Sequence, residues 1–160
     1  MLILRIDDRL IHGQVIAGWA RPLGIESIIL VSDRISKDEW SCSAYRLAIP
    51  QGIEFSCVGI KECVESLNES NKKRVMIIVE SVQEASDLVD EGLEVQEITI
   101  GGLGYREATR QIAPYIYLSS EDIESVVHLY QRGIKVIGKQ LPNSPRIDVI
   151  KNLAGVTGVR

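Results

Sequence analysis

Short apolar runs alternate along the chain with longer segments in which apolar residues recur at helical spacing. Seven of these runs predict strands, at about 2–6, 27–31, 53–57, 75–79, 97–100, 115–118 and 135–137. They are rich in Ile and Val, which is typical of strands buried on both faces of a parallel sheet. Because no run is followed directly by a hairpin turn, the alternation predicts an α/β fold. We expect one open, doubly wound sheet of about seven mostly parallel strands, with helices on both faces.

Serine residues mark several predicted helix starts. Ser36 precedes an acidic first turn, and Ser81 and Glu84 have the spacing of a capping box. Ser119 opens another helix, which Gly133 closes. These signals place helices between the predicted strands, as the α/β pattern requires.

The first predicted helix follows the first strand and carries one apolar stripe. Val15, Trp19 and Leu23 recur at intervals of four residues, and Pro22 and Gly24 end the pattern. The stripe predicts that Trp19 belongs to the core.

Length and charge restrict the possible function classes. The chain has 160 residues, of which 45% are hydrophobic, and a net charge of -4. This predicts a single domain over residues 1–160 and excludes a broad electrostatic affinity for nucleic acid. The longest uncharged run covers only residues 10–20, whereas a membrane helix needs about 20 apolar residues. We therefore expect no transmembrane segment, and the early Arg5 argues against a secretory signal.

The cysteines Cys42, Cys57 and Cys63 are odd in number and form no C-x-x-C pair. They are expected to be reduced thiols with packing roles, as in cytosolic proteins. No metal-ligand spacing or cofactor motif is present, so we expect neither a metal nor a cofactor.

The densest set of functional groups, Arg5 to Gln14, follows the first predicted strand. Ligands of open parallel sheets bind at such carboxyl ends. His12, between this strand and a helix, could carry a phosphoryl group near first-turn amides, where Gly13 lets the backbone approach closely. Arg5 and Arg9 could donate to its oxygens, while Asp7 or Asp8 holds the other ring nitrogen. His12 could equally cap its own helix, with the neighbouring charges in surface ion pairs.

Other sites and chemistries are weaker. Gly101, Gly102 and Gly104 do not form the G-x-G-x-x-G motif of a dinucleotide loop, because Glu107 occupies the position of its last glycine. They are expected to form either a backbone loop that lines the site built by the first strand's loop or a plain tight turn.

A receiver domain would need Asp after the third strand, where this chain has Cys57-Val58-Gly59. A histidine phosphatase would need Arg directly before His12, where this chain has Ile11. Both classes are therefore disfavoured. His128 lies within a predicted helix near its C-terminal end, where a partly buried or solvated histidine is the ordinary explanation, and it carries little functional weight.

The run from Arg5 to Val15 resembles the signature of the IIB component of the mannose/fructose/sorbose family of the bacterial sugar phosphotransferase system. The similarity continues through residues 29–33, the double glycine at Gly101, residues 119–122 and Gly133, so it spans almost the whole chain. The sequence departs from the family pattern after Leu103, where only Gln111 of a frequent Gly-Lys-x-Gln stretch remains.

The resemblance implies a protein-Nπ-phosphohistidine–sugar phosphotransferase. His12 would accept a phosphoryl group from a phosphohistidine of the IIA component and pass it to a hexose-type sugar held by the membrane IIC and IID components. Arg5, Asp7, Arg9, Gly13 and Gln14 are the implied phosphoryl-binding or supporting positions. Such a protein would be cytoplasmic, associate peripherally with the transporter and meet sugar only indirectly. The alternative is a non-catalytic regulatory module that senses a phosphorylated ligand on the same fold.

Overall fold

The centre of the molecule is an open seven-stranded sheet with strand order β3-β2-β4-β1-β5-β8-β9. The computed structural model describes residues 1–72 and 74–157. Its strands, numbered along the chain, are β1 (Leu2–Asp7), β2 (Ser27–Val31), β3 (Glu54–Val58), β4 (Val75–Val79), β5 (Glu97–Gly102), β6 (Arg110–Ala113), β7 (Ile116–Leu118), β8 (Lys135–Gly138) and β9 (Ile147–Asp148). All neighbours in this sheet pair in parallel except β8 and β9. The predicted α/β class with a mostly parallel open sheet is confirmed.

One predicted strand lies outside the main sheet. The run at 115–118 contains β7, which pairs antiparallel with β6 in a separate two-stranded sheet. The hairpin turn precedes this run, and its first strand, β6, is not among the seven predicted strands. Half of β6 is the polar pair Arg110 and Gln111, both exposed, so the segment shows no apolar run. The other missed strand, β9, has only two residues, too few for a periodic pattern.

The described residues form six α-helices: α1 (Gly13–Val15), α2 (Glu39–Leu47), α3 (Ile60–Glu69), α4 (Val82–Asp90), α5 (Ser120–Gln131) and α6 (Val149–Thr157). The first five lie between strands, and α6 follows β9. Helix α1 continues directly as a π-helical segment, Ile16–Ala20. None of the helices in the described ranges has both the length and the apolar character needed to cross a bilayer.

The helix caps agree with the sequence in two cases out of three. The Ser119 hydroxyl accepts from the Asp122 amide in a full capping box, and the Ser81 hydroxyl accepts from the Glu84 amide. The start predicted at Ser36 is wrong, because that residue lies in a single 3-10 turn. Asp38 caps α2 instead, where a short carboxylate side chain reaches the free amides of the first turn.

The two faces of the sheet carry separate apolar clusters. One cluster packs β1, β4 and β5 against α3 to α6, and the other packs β1, β2 and β4 against α1 and its π-helical continuation. Trp19 is 4% exposed in the second cluster, so its predicted burial is confirmed. Side chains alternate along β1: Leu4 and Ile6 enter the first cluster, which leaves Arg5 and Asp7 on the opposite face. This alternation brings two charged residues to the α1 face of the central strand.

Two of the cysteines are not free thiols. Cys42 of α2 and Cys57 of β3 form a disulfide with Cα atoms 5.9 Å apart, so the expectation of three reduced cysteines is wrong for this pair. The pairing depends on α2 returning over the edge strand, which the sequence spacing does not reveal. Cys63 is free and buried as expected, and burial raises the pKa of its thiol to about 12.

We expect Ser119→Ala to lower the free energy of unfolding by about 1 kcal/mol, because the hydroxyl satisfies a first-turn amide of α5. Urea unfolding monitored by circular dichroism measures this loss. Ser120→Ala is the matched control, since Ser120 is exposed at the first helical position. An equal loss in both variants would contradict the assigned role of the cap.

Candidate functional site

The loop that leaves β1 turns back sharply before α1 begins. The Leu10 amide donates to the Asp7 carbonyl at 3.0 Å, and Leu10 has a positive φ of 57°. This conformation costs a non-glycine residue roughly 1–2 kcal/mol. The Leu10 side chain is 2% exposed in the apolar cluster on the α1 side, and its burial offsets this cost. The turn carries the chain from the end of β1 back toward His12.

Asp7, the last residue of β1, is the common partner of Arg5, Arg9 and His12. Its carboxylate is completely buried. Oδ2 accepts from Arg5 Nη2 at 3.1 Å and lies 2.9 Å from His12 Nε2. Oδ1 accepts from the Arg9 amide at 3.0 Å and from Arg9 Nε at 3.3 Å. Burial by itself would raise the pKa of Asp7, but the hydrogen bonds with His12 and Arg9 and the charge of Arg5 hold it below its usual value. The carboxylate is therefore ionised at neutral pH.

His12 occupies the N-cap position of α1, yet its side chain makes no capping hydrogen bond. The ring is directed to Asp7 instead, and the His12 side chain is 18% exposed. An ionised carboxylate accepts but cannot donate, so Nε2 carries the proton in this contact. Nδ1 is then the ring nitrogen with a free lone pair. The geometry argues against the alternative in which His12 only caps its helix.

Asp8, the other candidate to hold the ring, points elsewhere. Its Oδ2 accepts from the Gly104 amide at 2.8 Å, which ties the loop after β5 to the loop after β1. Of the two carboxylates left open by the sequence, only Asp7 contacts His12.

Arg5 is 0% exposed and belongs to the same network. Besides Asp7, its guanidinium contacts Gln14 Oε1 at 3.4 Å and the Lys139 carbonyl at 3.5 Å. Burial lowers the pKa of Arg5 and the neighbouring carboxylate opposes this effect. Arginine nevertheless stays protonated in proteins, so Arg5 and Asp7 form a buried ion pair.

Arg9 and Gln14 lie at the solvent side of the site. The Arg9 side chain is 55% exposed, and its Nη2 donates to Gln14 Oε1 at 3.3 Å. Gly13 has open space where a side chain would begin, and first-turn amides have no intrahelical acceptor. The structure thus brings together all six predicted positions, His12, Arg5, Asp7, Arg9, Gly13 and Gln14. Their roles toward a phosphoryl group remain predictions.

Two further residues lie beside Arg5: Gly101, whose loop the sequence left open as a lining of this site, and Trp19, which the sequence reasoning missed as part of it. The Trp19 ring packs under the guanidinium at 5.0 Å, and Arg5 lies directly over the backbone of Gly101. The double glycine was a visible signal for the second contact. The apolar stripe of the first helix marked Trp19 only as a core residue.

His128 lies in a different environment. Its Nε2 is 3.1 Å from Asp90 Oδ1 on the surface, and Arg132 contacts the same carboxylate. No cluster of three His, Cys, Asp or Glu side chains suited to a metal ion occurs within residues 1–72 and 74–157.

The chain matches the family model described as the PTS system sorbose subfamily IIB component over residues 1–157. It belongs to this family. IIB components act as phosphotransferases in sugar transport by the phosphotransferase system (PTS), and the family implies IIA and membrane IIC and IID partners.

The names of similar curated proteins specify PTS components for different sugars. The chain is 27% identical to the PTS system fructose-specific EIIB component of Bacillus subtilis, with 98% of each chain covered. It is also 27% identical to the PTS system sorbose-specific EIIB component of Lacticaseibacillus casei, over 98% of this chain and 96% of the relative. The PTS system mannose-specific EIIAB component of Escherichia coli is 27% identical, and 46% of its length is covered.

Solved structures confirm the fold. The IIBSor domain of the sorbose permease from Klebsiella pneumoniae superposes with a TM-score of 0.89 at 24% identity, with 97% of each chain covered. A structure titled phosphoenolpyruvate-dependent phosphotransferase system gives a TM-score of 0.88 at 26% identity, covering 97% of this chain and 98% of the other.

Asp7→Asn should destabilise the protein by about 3 kcal/mol at neutral pH, because it leaves Arg5 buried without its counter-charge. The folded-state pKa of Asp7 is lowered, so its contribution is present above the unfolded pKa near 4 and is lost as the pH falls through the folded value. Urea unfolding at pH 7 and at several pH values below 4 should show the difference from wild type shrinking with acid. Asp8→Asn, at an exposed carboxylate, is the control. A difference that is independent of pH would contradict the role of the Asp7 charge.

Proposed function

We propose that this chain is a phosphocarrier that accepts a phosphoryl group on Nδ1 of His12 from a phosphohistidine of a IIA component. The observation that carries the proposal is the 2.9 Å contact between His12 Nε2 and the buried Asp7 carboxylate. This contact directs the proton to Nε2 and leaves the Nδ1 lone pair as the nucleophile. Family membership supports the same chemistry.

The reaction has two transfers. In the first, Nδ1 of His12 forms a bond to phosphorus while the bond between phosphorus and the donor imidazole breaks, and the donor keeps that electron pair. In the second, a hydroxyl oxygen of a hexose-type sugar forms the new bond to phosphorus, the Nδ1–phosphorus bond breaks with its electron pair returning to Nδ1, and the hydroxyl proton is released to water. This sequence is that of a protein-Nπ-phosphohistidine–sugar phosphotransferase. Asp7 balances the positive charge that develops on the phosphorylated ring.

Arg9 is the cation suited to the transferred group. The exposed Arg9 guanidinium can turn its donors to phosphoryl oxygens, whereas the buried Arg5 holds Asp7. Gly13 and Gln14 border His12 and support the group through the first-turn amides and the Gln14 side chain.

The sugar is proposed to meet this chain only at the membrane IIC and IID components, with the chain cytoplasmic and peripherally associated with them. Sugar sites commonly place an aromatic ring under the sugar. Trp19 is buried beneath Arg5, and the exposed Tyr105 packs edge-on against Tyr117 at 5.8 Å. Because both rings already pack against other side chains, we do not assign a sugar site to them. The membrane components are proposed to select the sugar.

Incubation with phosphoenolpyruvate, the general phosphotransferase components and a IIA component should place an acid-labile, base-stable phosphoryl group on His12. His12→Ala should abolish labelling. His128→Ala is the matched control and should label at the wild-type rate, because its ring is paired with Asp90 on the surface. Phosphorus NMR of the adduct should show the Nδ1 isomer.

Labelling of His128 in place of His12 would overturn the proposal. Absence of any adduct on wild type would favour the alternative, a non-catalytic module that senses a phosphorylated ligand.

Arg9→Ala should slow phosphoryl transfer by on the order of 1.5–3 kcal/mol, roughly 10- to 150-fold, because hydrogen bonds to charged groups are worth this much. Arg9→Lys should restore only part of the rate, since a point charge does not replace a bidentate guanidinium. Rapid-quench labelling measures both rates. Arg21→Ala removes an exposed cation at the far end of the same helical segment and should have no effect. Equal rates in wild type, Arg9→Ala and Arg9→Lys would contradict the role.

A further inference from the structure

The buried Arg5 guanidinium is enclosed on two sides by groups that the proposed phosphoryl transfer leaves unexplained. One side is the backbone of β5 at Gly101, and the other is the indole ring of Trp19. Both lie against the one side chain that shares an Asp7 oxygen with His12.

Gly101 is an extra residue in the pairing of β5 with β1. Ile6 pairs with Ile100 and Asp7 pairs with Gly102, so Gly101 forms a bulge between them. A Cβ atom built at Gly101 would lie 2.0 Å from Cζ of Arg5 and 2.1 Å from its Nη2. A methyl group at this position therefore cannot coexist with the observed position of the guanidinium.

The neighbouring Gly102 differs in this respect. A Cβ at Gly102 would lie 3.5 Å from Arg9 Nη2 and 3.6 Å from Asp7 Oδ1, which are ordinary contact distances. Neither glycine has a positive φ, so an alanine at either position is not excluded by backbone conformation. The double glycine thus contains one position closed to a side chain and one that is open.

Trp19 encloses Arg5 from the helix side. Its ring centroid is 5.0 Å from Arg5 Cζ, a cation–π contact that is strengthened where water is excluded. The indole is itself held, because Nε1 donates to the Gln140 carbonyl at 2.7 Å. The adjacent Lys139 carbonyl accepts from Arg5 Nη1, so the ring and the guanidinium are anchored to the same segment after β8.

We propose that Gly101 and Trp19 are positioning residues for His12, which act by holding Arg5 against Asp7. The proposal rests on the phosphocarrier function proposed above. Asp7 Oδ2 accepts from Arg5 and contacts His12 Nε2, so a displaced guanidinium leaves that oxygen without one of its two partners. Asp7 is then fixed only through Oδ1, by the Arg9 amide and Arg9 Nε. Oδ2 can turn away from His12, and the ring no longer presents Nδ1 in a single direction.

The decisive comparison is Gly101→Ala with Gly102→Ala. Gly101→Ala should slow transfer from phosphorylated IIA by at least about 10-fold, the effect of losing one hydrogen bond to a charged group. Gly102→Ala should stay within about 2-fold of wild type, because a methyl group fits there at ordinary contact distances. Equal rates for the two variants would overturn the proposal.

A spectroscopic signature separates positioning from a merely structural role. Nitrogen NMR of the His12 ring should show a single tautomer with the proton on Nε2 in wild type and in Gly102→Ala, and mixed tautomers in Gly101→Ala. Trp19→Leu should behave like Gly101→Ala, whereas Trp19→Phe keeps an aromatic face under Arg5 and should restore most of the rate. These Trp19 variants keep the proposal testable if Gly101→Ala fails to fold. An unchanged tautomer in Trp19→Leu would overturn it.

The dependence on Arg5 is tested in an Arg5→Lys background. If Gly101 acts through the guanidinium, adding Gly101→Ala to Arg5→Lys should slow transfer by less than about 2-fold further. An undiminished effect in that background would contradict the proposal. Failure of wild type to accept phosphate would instead refute the phosphocarrier function, while the tautomer comparison would still decide the positioning role.

Discussion

The ionised carboxylate of Asp7 is the group on which the rest of the site depends. Burying a charge costs several kcal/mol unless partners compensate it, and Asp7 is completely buried. Arg5, His12 and the Arg9 amide provide that compensation through both oxygens. Each partner is in turn held by the carboxylate. The positions of the His12 ring, the Arg5 guanidinium and the loop at Arg9 are therefore fixed relative to one another. The orientation of the His12 ring is therefore a consequence of satisfying a buried charge.

The fold makes this burial possible because β1 lies between β4 and β5 in the middle of the sheet. Alternation along β1 sends Leu4 and Ile6 to one core cluster and Arg5 and Asp7 to the opposite face. A polar pair in a central strand needs room, and the bulge at Gly101 supplies it where a side chain would collide with the guanidinium. The buried side chain of Leu10 then stabilises the left-handed turn that returns the chain to His12.

The relatives of this chain share its fold, but their names specify different sugars. Relatives named for fructose, sorbose and mannose are each 27% identical to this chain, so overall identity does not distinguish between sugars. The chain nevertheless superposes closely on a IIB domain at 24% identity. A fold of this kind is maintained by apolar patterning and by a few buried polar contacts, which many sequences satisfy.

The sequence by itself determined the α/β class, most of the parallel strands, the Ser119 cap and the loop that carries His12, because periodicity and capping are local properties of the chain. Local patterns contain no information about which distant segments meet. Hence the β6–β7 hairpin, the Cys42–Cys57 disulfide and the two-residue β9 were not predicted. Within the site, the sequence supplied Asp7 and Asp8 as equal candidates. Only the tertiary structure decided between them, since strand alternation turns Asp7 toward His12 while Asp8 reaches across to Gly104. The same holds for Trp19 and Gly101, whose proximity to Arg5 exists only once β5 and the π-helical segment after α1 are packed beside β1.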